Sequence, residues 1–374
     1  MTKIAAILCA ALALGAVFLG PRATREMPDL EVYWSAAGRA AAAEPIYRSE
    51  DRHYQFKYFP AFAILARPLA SLSLDNAKRA WLWISASALA LFLTLSVALL
   101  PDARKPRWLL MFLTVIVMAK FFAHELVLGQ VNILFGAAIV GAVTLMRAGR
   151  EAPAGALVAA AIIVKPYAVI FLPWLGARRR IASIAMAAVG ILVVLLLPIP
   201  SYGWTGSVAL YQDWWRTVTT STAPNLLNRD NVSLASVWAK WIGVGPSAEL
   251  LAIVTSLALV AMAAIVIARR AHVGFPEALE AGLLLTLLPL LSPQGWDYVF
   301  LLSTPAVVLL LNYEGALPRT WRVATIAALA AIAFSLYDVM GKRAYARFMA
   351  FAGISVCYLV ASTALCELRR RRVA

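Results

Sequence analysis

Charge is scarce in this chain, and acid is scarcer than base. Only 14% of its 374 residues are Asp, Glu, Lys or Arg, against 62% hydrophobic, which excludes a soluble globular protein folded about a single core. Cysteine is nearly absent. Cys9, Cys357 and Cys366 each fall in an apolar stretch with no paired spacing, so neither a disulfide framework nor a zinc site is indicated. The three histidines, His53, His124 and His272, are scattered without metal-ligand spacing. Of these only His124, which stands beside Glu125 near the end of an apolar run, merits a test. No internal repeat is visible, and no hydrophilic stretch is long enough to make a separate soluble domain.

What the chain has in abundance is apolar runs of membrane length. A hydrocarbon core of ~30 Å needs about 20 apolar residues as helix, and such runs recur from end to end. Bounded by polar links, they predict spans near 3–20, 78–100, 108–124, 130–147, 154–164, 166–176, 181–198, 248–268, 277–291, 298–311, 321–337 and 347–366. The chain therefore reads as an all-α, multi-pass membrane protein of about twelve transmembrane helices, a single integral domain over 1–374 with both ends cytoplasmic. The formal charge of +15 would suggest nucleic acid in a soluble protein. Here Lys and Arg gather in the links 102–107, 147–150, 178–180, 269–270, 319–322 and 369–372, which the twelve-span count places inside, as the positive-inside rule requires. Lys3 and the apolar residues up to Gly20 have signal-peptide character, but in a multi-pass chain they read as a retained first span.

The stretch 154–176 decides the count. As one span it would put Lys165 at mid-membrane, at roughly 2.5–3.5 kcal/mol on insertion scales, and would leave Arg178, Arg179 and Arg180 outside. As two short helices turning at Lys165-Pro166 it places the lysine externally and returns the arginines to the cytoplasm. Each half is only about 16 Å long, so such a hairpin must pack in protein or line a hydrated cavity. Two larger segments are also external on this count. The first, 21–77, carries an interfacial helix starting in Gln55-Phe56-Lys57-Tyr58-Phe59-Pro60-Ala61-Phe62; the second, 199–247, carries Trp204, Trp214, Trp215, Trp238 and Trp241 and suits a surface resting on lipid.

The polar residues at the external ends of the spans come from separate places in the sequence but from one side of the membrane. They are Asp29 and Glu31, Gln130 and Asn132, Lys165, Arg229 to Asn231, and Gln294 to Asp297. A carboxylate, cations and amides around one cavity suit a base that activates a hydroxyl while cations hold a phosphate. Asp29 and Glu31 point about 200° apart if their segment is helical, so only one can face a shared cavity. Lys165 can also be read as a snorkelling anchor, Gln130 and Asn132 as interhelical ties, and Trp296 as packing. Asp297 is the stronger functional candidate of its motif, because an unpaired acid at a span end is costly to bury.

In order and spacing these elements resemble the membrane mannosyltransferases of glycosyltransferase family 87, within the GT-C superfamily. The resemblance rests on Asp29 followed by Tyr33, on Phe56-Lys57-Tyr58-Phe59-Pro60, on Gly129-Gln130-Val131-Asn132, and on Lys165-Pro166 before an arginine cluster. It continues through Asn231-Val232-Ser233-Leu234 and Ser292-Pro293-Gln294-Gly295-Trp296-Asp297. It implies a GT-C fold with external juxtamembrane helices in the first loop, and a polyprenyl-monophosphate sugar, typically mannose, used on the outer face of the plasma membrane. It further implies inversion at the anomeric carbon with Asp29 as base. Lys165 and Arg229 would then hold the donor phosphate, with Glu31, Tyr33, Tyr58, Gln130, Asn132, Asn231, Gln294, Trp296 and Asp297 around the substrates. The acceptor would be a lipid or glycan. Where mycobacterial members carry two histidines after the Trp-Asp pair, this chain has Tyr298-Val299, so no histidine role carries over. No Asp-any-Asp pair of the kind a metal-assisted, nucleotide-sugar site uses lies near Asp29. The substitute Asp29-Leu30-Glu31 admits a divalent ion but does not argue for one, and no cofactor is expected. The competing classes are a multi-span transporter or lipid flippase and a noncatalytic envelope scaffold. A transporter would be expected to carry polar residues near the midplane or on both faces.

Overall fold

Proline sets many of the helix starts. It occupies the first turn of Pro28–Ala41 (α1), Pro60–Leu65 (α2) and Arg67–Ala70 (α3), where its missing N–H would have no partner in any case. These follow one another ahead of the first long apolar helix in a computed structural model that describes residues 24–270 and 273–373. All regular structure among the described residues is helical, apart from one antiparallel bridge between Asn231 and Trp296. The expected span 3–20 lies outside the described residues.

The chain divides into two compact units, the first drawn from Met1–Phe92 and His124–Ser221, the second from Leu93–Ala123 and Thr222–Ala374. Two long apolar helices, Leu74–Ala98 (α4) and Arg107–Leu128 (α5), run through the boundary. In the first unit follow Asn132–Arg147 (α6), Glu151–Val164 (α7), Phe171–Ala177 (α8), Ile181–Leu196 (α9) and Ile199–Thr220 (α10). Helix α7 packs along both α6 and α9. It ends at Val164, because Lys165 takes an extended conformation ahead of Pro166, as a pre-proline residue should. The expected break is therefore present, but α8 packs against α9 rather than folding back on α7. After α9 the chain bends by 88° into α10, which exposes Trp204 and Trp215, in keeping with an interfacial element.

The core of this unit sits under the first loop. Leu30, Tyr33 and Ala40 of α1 join Ile46, Phe56, Trp81 and Val131 there. Each fully buried Leu or Phe is worth roughly 2 kcal/mol, enough to hold a short helix such as α1 that would not persist alone.

The second unit holds Leu234–Ile242 (α11), Pro246–Ala268 (α12), Glu277–Leu291 (α13), Thr304–Tyr313 (α14), Arg319–Phe334 (α15), Tyr337–Met340 (α16), Lys342–Ala350 (α17) and Gly353–Arg370 (α18). Helix α13 is buried on all sides and packs on α12, α14 and α18, so its uniform apolarity is that of a central helix. Its Glu280 is neutralised by Arg369 at 3.1 Å, both fully buried. Four described helices are long and apolar enough to cross a membrane, or six if two bent pairs each count as one.

Candidate active site

Asp29 stands in the first turn of α1, where a helix N-terminus favours negative charge. The start of α1 is tied to the end of α5 by the Met27 N–H, which donates to the Val127 carbonyl at 2.9 Å. The chain leaves α5 through Gly129, at φ +71°, a position where an added Cβ would lie 2.9 Å from Leu30 Cβ. Only glycine fits both the conformation and the approach. The turn sets Gln130 beside Asp29.

Gln130 is buried, and all its polar atoms are engaged. Its Nε2 donates to Asp29 Oδ2 at 2.8 Å. Its Oε1 accepts from the Tyr33 hydroxyl at 3.2 Å and the Tyr58 hydroxyl at 3.1 Å, and those two hydroxyls are 2.7 Å apart. Because a carboxylate can only accept, the amide has one orientation. Burial, and after it the charge of Asp29, push the Tyr58 phenol well above its ordinary pKa, so it stays a hydroxyl. Asn132 Nδ2 donates to Glu125 Oε2 at 2.8 Å, and the Ile133 N–H donates to Glu125 Oε1 at 3.0 Å. Glu125, fully buried, thereby caps the start of α6.

Two lysines complete the group. Lys165 Nζ lies 5.6 Å from the Tyr58 ring centre and 5.8 Å from that of Tyr167. The charges acting on it are Glu125 and Asp29, and its ammonium has no hydrogen bond or ion pair among the described residues. Lys57 is likewise without a side-chain acceptor there. Burial lowers its pKa, and the Asp29 carboxylate works in the opposite sense. Both lysines are half-buried, and an ammonium partly withdrawn from water with no acceptor is costly, a cost that an anion would relieve.

Glu31 turns the other way. Its carboxylate pairs with the buried Lys78 at 2.5 Å, as the angular separation from Asp29 requires.

The remaining predicted residues fall in the second unit. Asp297 is buried, with Lys120 Nζ 2.8 Å from its carboxylate. Arg229 pairs with Asp230 at 3.3 Å and lies over the Tyr345 ring at 5.5 Å. Lys240 donates to the carbonyls of Arg229 at 3.0 Å and Asn231 at 2.6 Å, and burial lowers its pKa to about 8. Asn231 spends its side chain locally, donating to the Asn225 carbonyl and accepting from the Ser233 N–H, both at 3.0 Å. The Val232 N–H donates to the Gly295 carbonyl at 2.6 Å and the Asp297 N–H to the Asp230 carbonyl at 2.9 Å, so Trp296 lies in a backbone clasp. Gln294 is half-buried beside it.

Glu125, Lys57 and Lys120 are not among the site residues that the sequence suggests. Lys57 sits inside the motif Phe56-Lys57-Tyr58-Phe59-Pro60, and Glu125 stands beside His124. Lys120 had the clearest signal: the cost applied to Lys165 applies equally to a lysine in the run 108–124.

The family model for glycosyltransferase family 87 matches residues 56–293, well over half of the chain. The chain belongs to glycosyltransferase family 87. No curated protein and no solved structure matches it. This family 87 member is thus a glycosyltransferase, and its apolar helices are those of a membrane protein, consistent with the GT-C superfamily. The matched residues include Lys57, Tyr58, Glu125, Gln130, Asn132, Lys165, Arg229 and Asn231. Asp29, Glu31 and Tyr33 precede them, and Gln294, Trp296 and Asp297 follow.

Proposed function

We propose that the protein transfers a sugar, mannose in the first instance, from a polyprenyl monophosphate to a hydroxyl of a lipid or glycan acceptor on the outer face of the plasma membrane. The observation that carries this reading is an oriented carboxylate, Asp29, whose charge is felt by two ammonium groups, Lys57 and Lys165, that have no acceptor of their own among the described residues. In the reaction Asp29 takes the proton of the acceptor hydroxyl. The oxygen attacks the anomeric carbon opposite the phosphate, the bond from that carbon to the phosphate oxygen breaks, and the configuration inverts. The electron pair leaves on the phosphate, where Lys165 and Lys57 meet the charge. No metal ion takes part in this scheme.

A lipid-borne donor is supported by a cleft of about 320 Å³ that reaches Pro166, the residue after Lys165, and is lined by apolar side chains including Phe59, Ile162, Ile163, Val169 and Val194. The arginine-rich links, expected inside, argue for an external site.

Purified protein in lipid nanodiscs, given radiolabelled polyprenyl-phosphate mannose and a lipid acceptor mixture, should yield a labelled product identifiable by mass spectrometry. Asp29→Asn keeps an acceptor for Gln130 Nε2 and so keeps the fold, yet should lower kcat by about 10²- to 10⁴-fold, the usual weight of a general base. Lys165→Met should lower kcat/KM for the donor by roughly 10²-fold. Undiminished turnover by Asp29→Asn would overturn the base assignment. Donor flux across the bilayer without product would favour a transporter.

A further inference from the structure

In the second unit, the C-terminal ends of α12 and α18 adjoin a cleft of about 480 Å³, a size typical of small-ligand sites. Its walls are apolar, formed by Met262 and Ile265 of α12 and by Cys366 of α18. Trp321 from α15 lies at its side, and Arg269 and Arg370 stand at its mouth. Ile265 is exposed, and so is Leu257 on the same helix, which is long and apolar enough to cross a membrane.

The arginines at this end are not equivalent. Arg369 is fully buried and structural: it pairs with Glu280 and donates to the carbonyls of Val266 and Pro276 at 3.1 and 2.9 Å. Arg370 and Arg371 share the single carboxylate of Glu367, at 2.6 and 2.7 Å. Arg269 is exposed, and its guanidinium makes no hydrogen bond or ion pair among the described residues. Two arginines to one glutamate, with Arg269 in addition, leave the mouth net positive above a hydrocarbon-lined cleft.

We infer that this cleft binds an anionic membrane phospholipid, with an acyl chain along Met262 and Ile265 and the phosphodiester on Arg269 and Arg370. An apolar wall alone would accept any lipid. The positive mouth selects against a zwitterionic head, whose ammonium it repels, and basic pockets between membrane helices are suited to acidic head groups. Trp321 gives the cleft an amphipathic rim at head-group depth. The links 269–270 and 369–372 are among those that the charge rule assigns to the cytoplasmic side.

The test is native mass spectrometry of the delipidated full-length protein, offered equal amounts of phosphatidylglycerol and phosphatidylcholine with matched acyl chains. The wild type should retain phosphatidylglycerol by at least about fivefold over phosphatidylcholine, the preference given by an arginine at the membrane surface. Arg269→Gln removes no side-chain hydrogen bond or ion pair among the described residues, so it should leave thermal stability unchanged while lowering the ratio about fivefold, and Arg269→Lys should restore most of it. Ile265→Trp, which fills the cleft, should lower retention of both lipids, whereas Leu257→Trp, outside it, should not. Equal retention by the wild type, or phosphatidylglycerol binding unchanged in Arg269→Gln, would overturn the inference.

Discussion

Gln130 has one orientation available, and that constraint reaches Asp29. Two tyrosine hydroxyls converge on its oxygen, and its nitrogen faces the carboxylate. Three polar contacts among Tyr33, Tyr58 and Gln130 are served by only two hydroxyl protons, so at any instant one of them is unfilled and the amide oxygen anchors the set. Gln130 is therefore a positioning residue. Gln130→Leu should lower kcat by about 10- to 100-fold, the scale of a misplacement of order 1 Å, with donor KM little changed. Gln130→Glu should do further harm, because it puts a second acceptor against Asp29. Glu31→Gln gives the contrast, since its carboxylate engages Lys78. It should leave kcat unaltered and act only on stability, by leaving a buried lysine unpaired. A steady-state comparison of the three variants separates positioning from folding. Loss of turnover in Glu31→Gln would show that the acid on the other side of α1 shares the chemistry.

At the scale of elements, two glycines hold the loops that carry the predicted motifs, for different reasons. Gly129 needs a positive φ and a close approach to Leu30; at Gly295 an added Cβ would lie 1.9 Å from the Pro289 carbonyl oxygen, an overlap that only backbone movement relieves. Gly129→Ala should fold, with about 1–2 kcal/mol of conformational strain, and should lose turnover because α1 is pushed outward with Asp29. Gly295→Ala should lower Tm far more, or fail to give monodisperse protein, because it parts the clasp between Val232 and Gly295. Thermal scanning fluorimetry beside the transfer assay checks both; full kcat in Gly129→Ala would uncouple the turn from the base. These motifs were legible as strings of polar and small residues between apolar runs. What they do was less so. Asn231 looked like a substrate contact but spends its amide on Asn225 and Ser233, because Asn favours local turn bonds wherever the backbone offers them. Glu125 stands just past the run 108–124, beside His124, and only the turn at Gly129 shows that it faces the start of α6.

For the whole molecule, helical class and membrane character could be read from composition, but the count of crossings could not. Twelve apolar runs were expected, whereas four described helices, or six with bent pairs joined, have the length and composition to cross. Hydropathy measures apolarity and not destination. Helix α13 is apolar because protein surrounds it, and α7, of 14 residues, is only about 21 Å long against a ~30 Å core. The arginine-rich links carry the independent information, since the charge rule assigns sides without a count of spans. It makes a prediction that any number of crossings must satisfy. In a chain with its cysteines replaced, single cysteines at the exposed positions Ala103 and Ala148 should resist a membrane-impermeant maleimide in intact cells and react after permeabilisation. Cysteines at the exposed positions Ala42 and Val244 should react in intact cells. Labelling of Ala42→Cys is the decisive member, because Ala42 caps the C-terminal end of α1, the helix that carries Asp29, and reports the side on which the base works. If it were protected while Ala103→Cys reacted, the site would face the cytoplasm, and a donor presented on the outer face could not reach it.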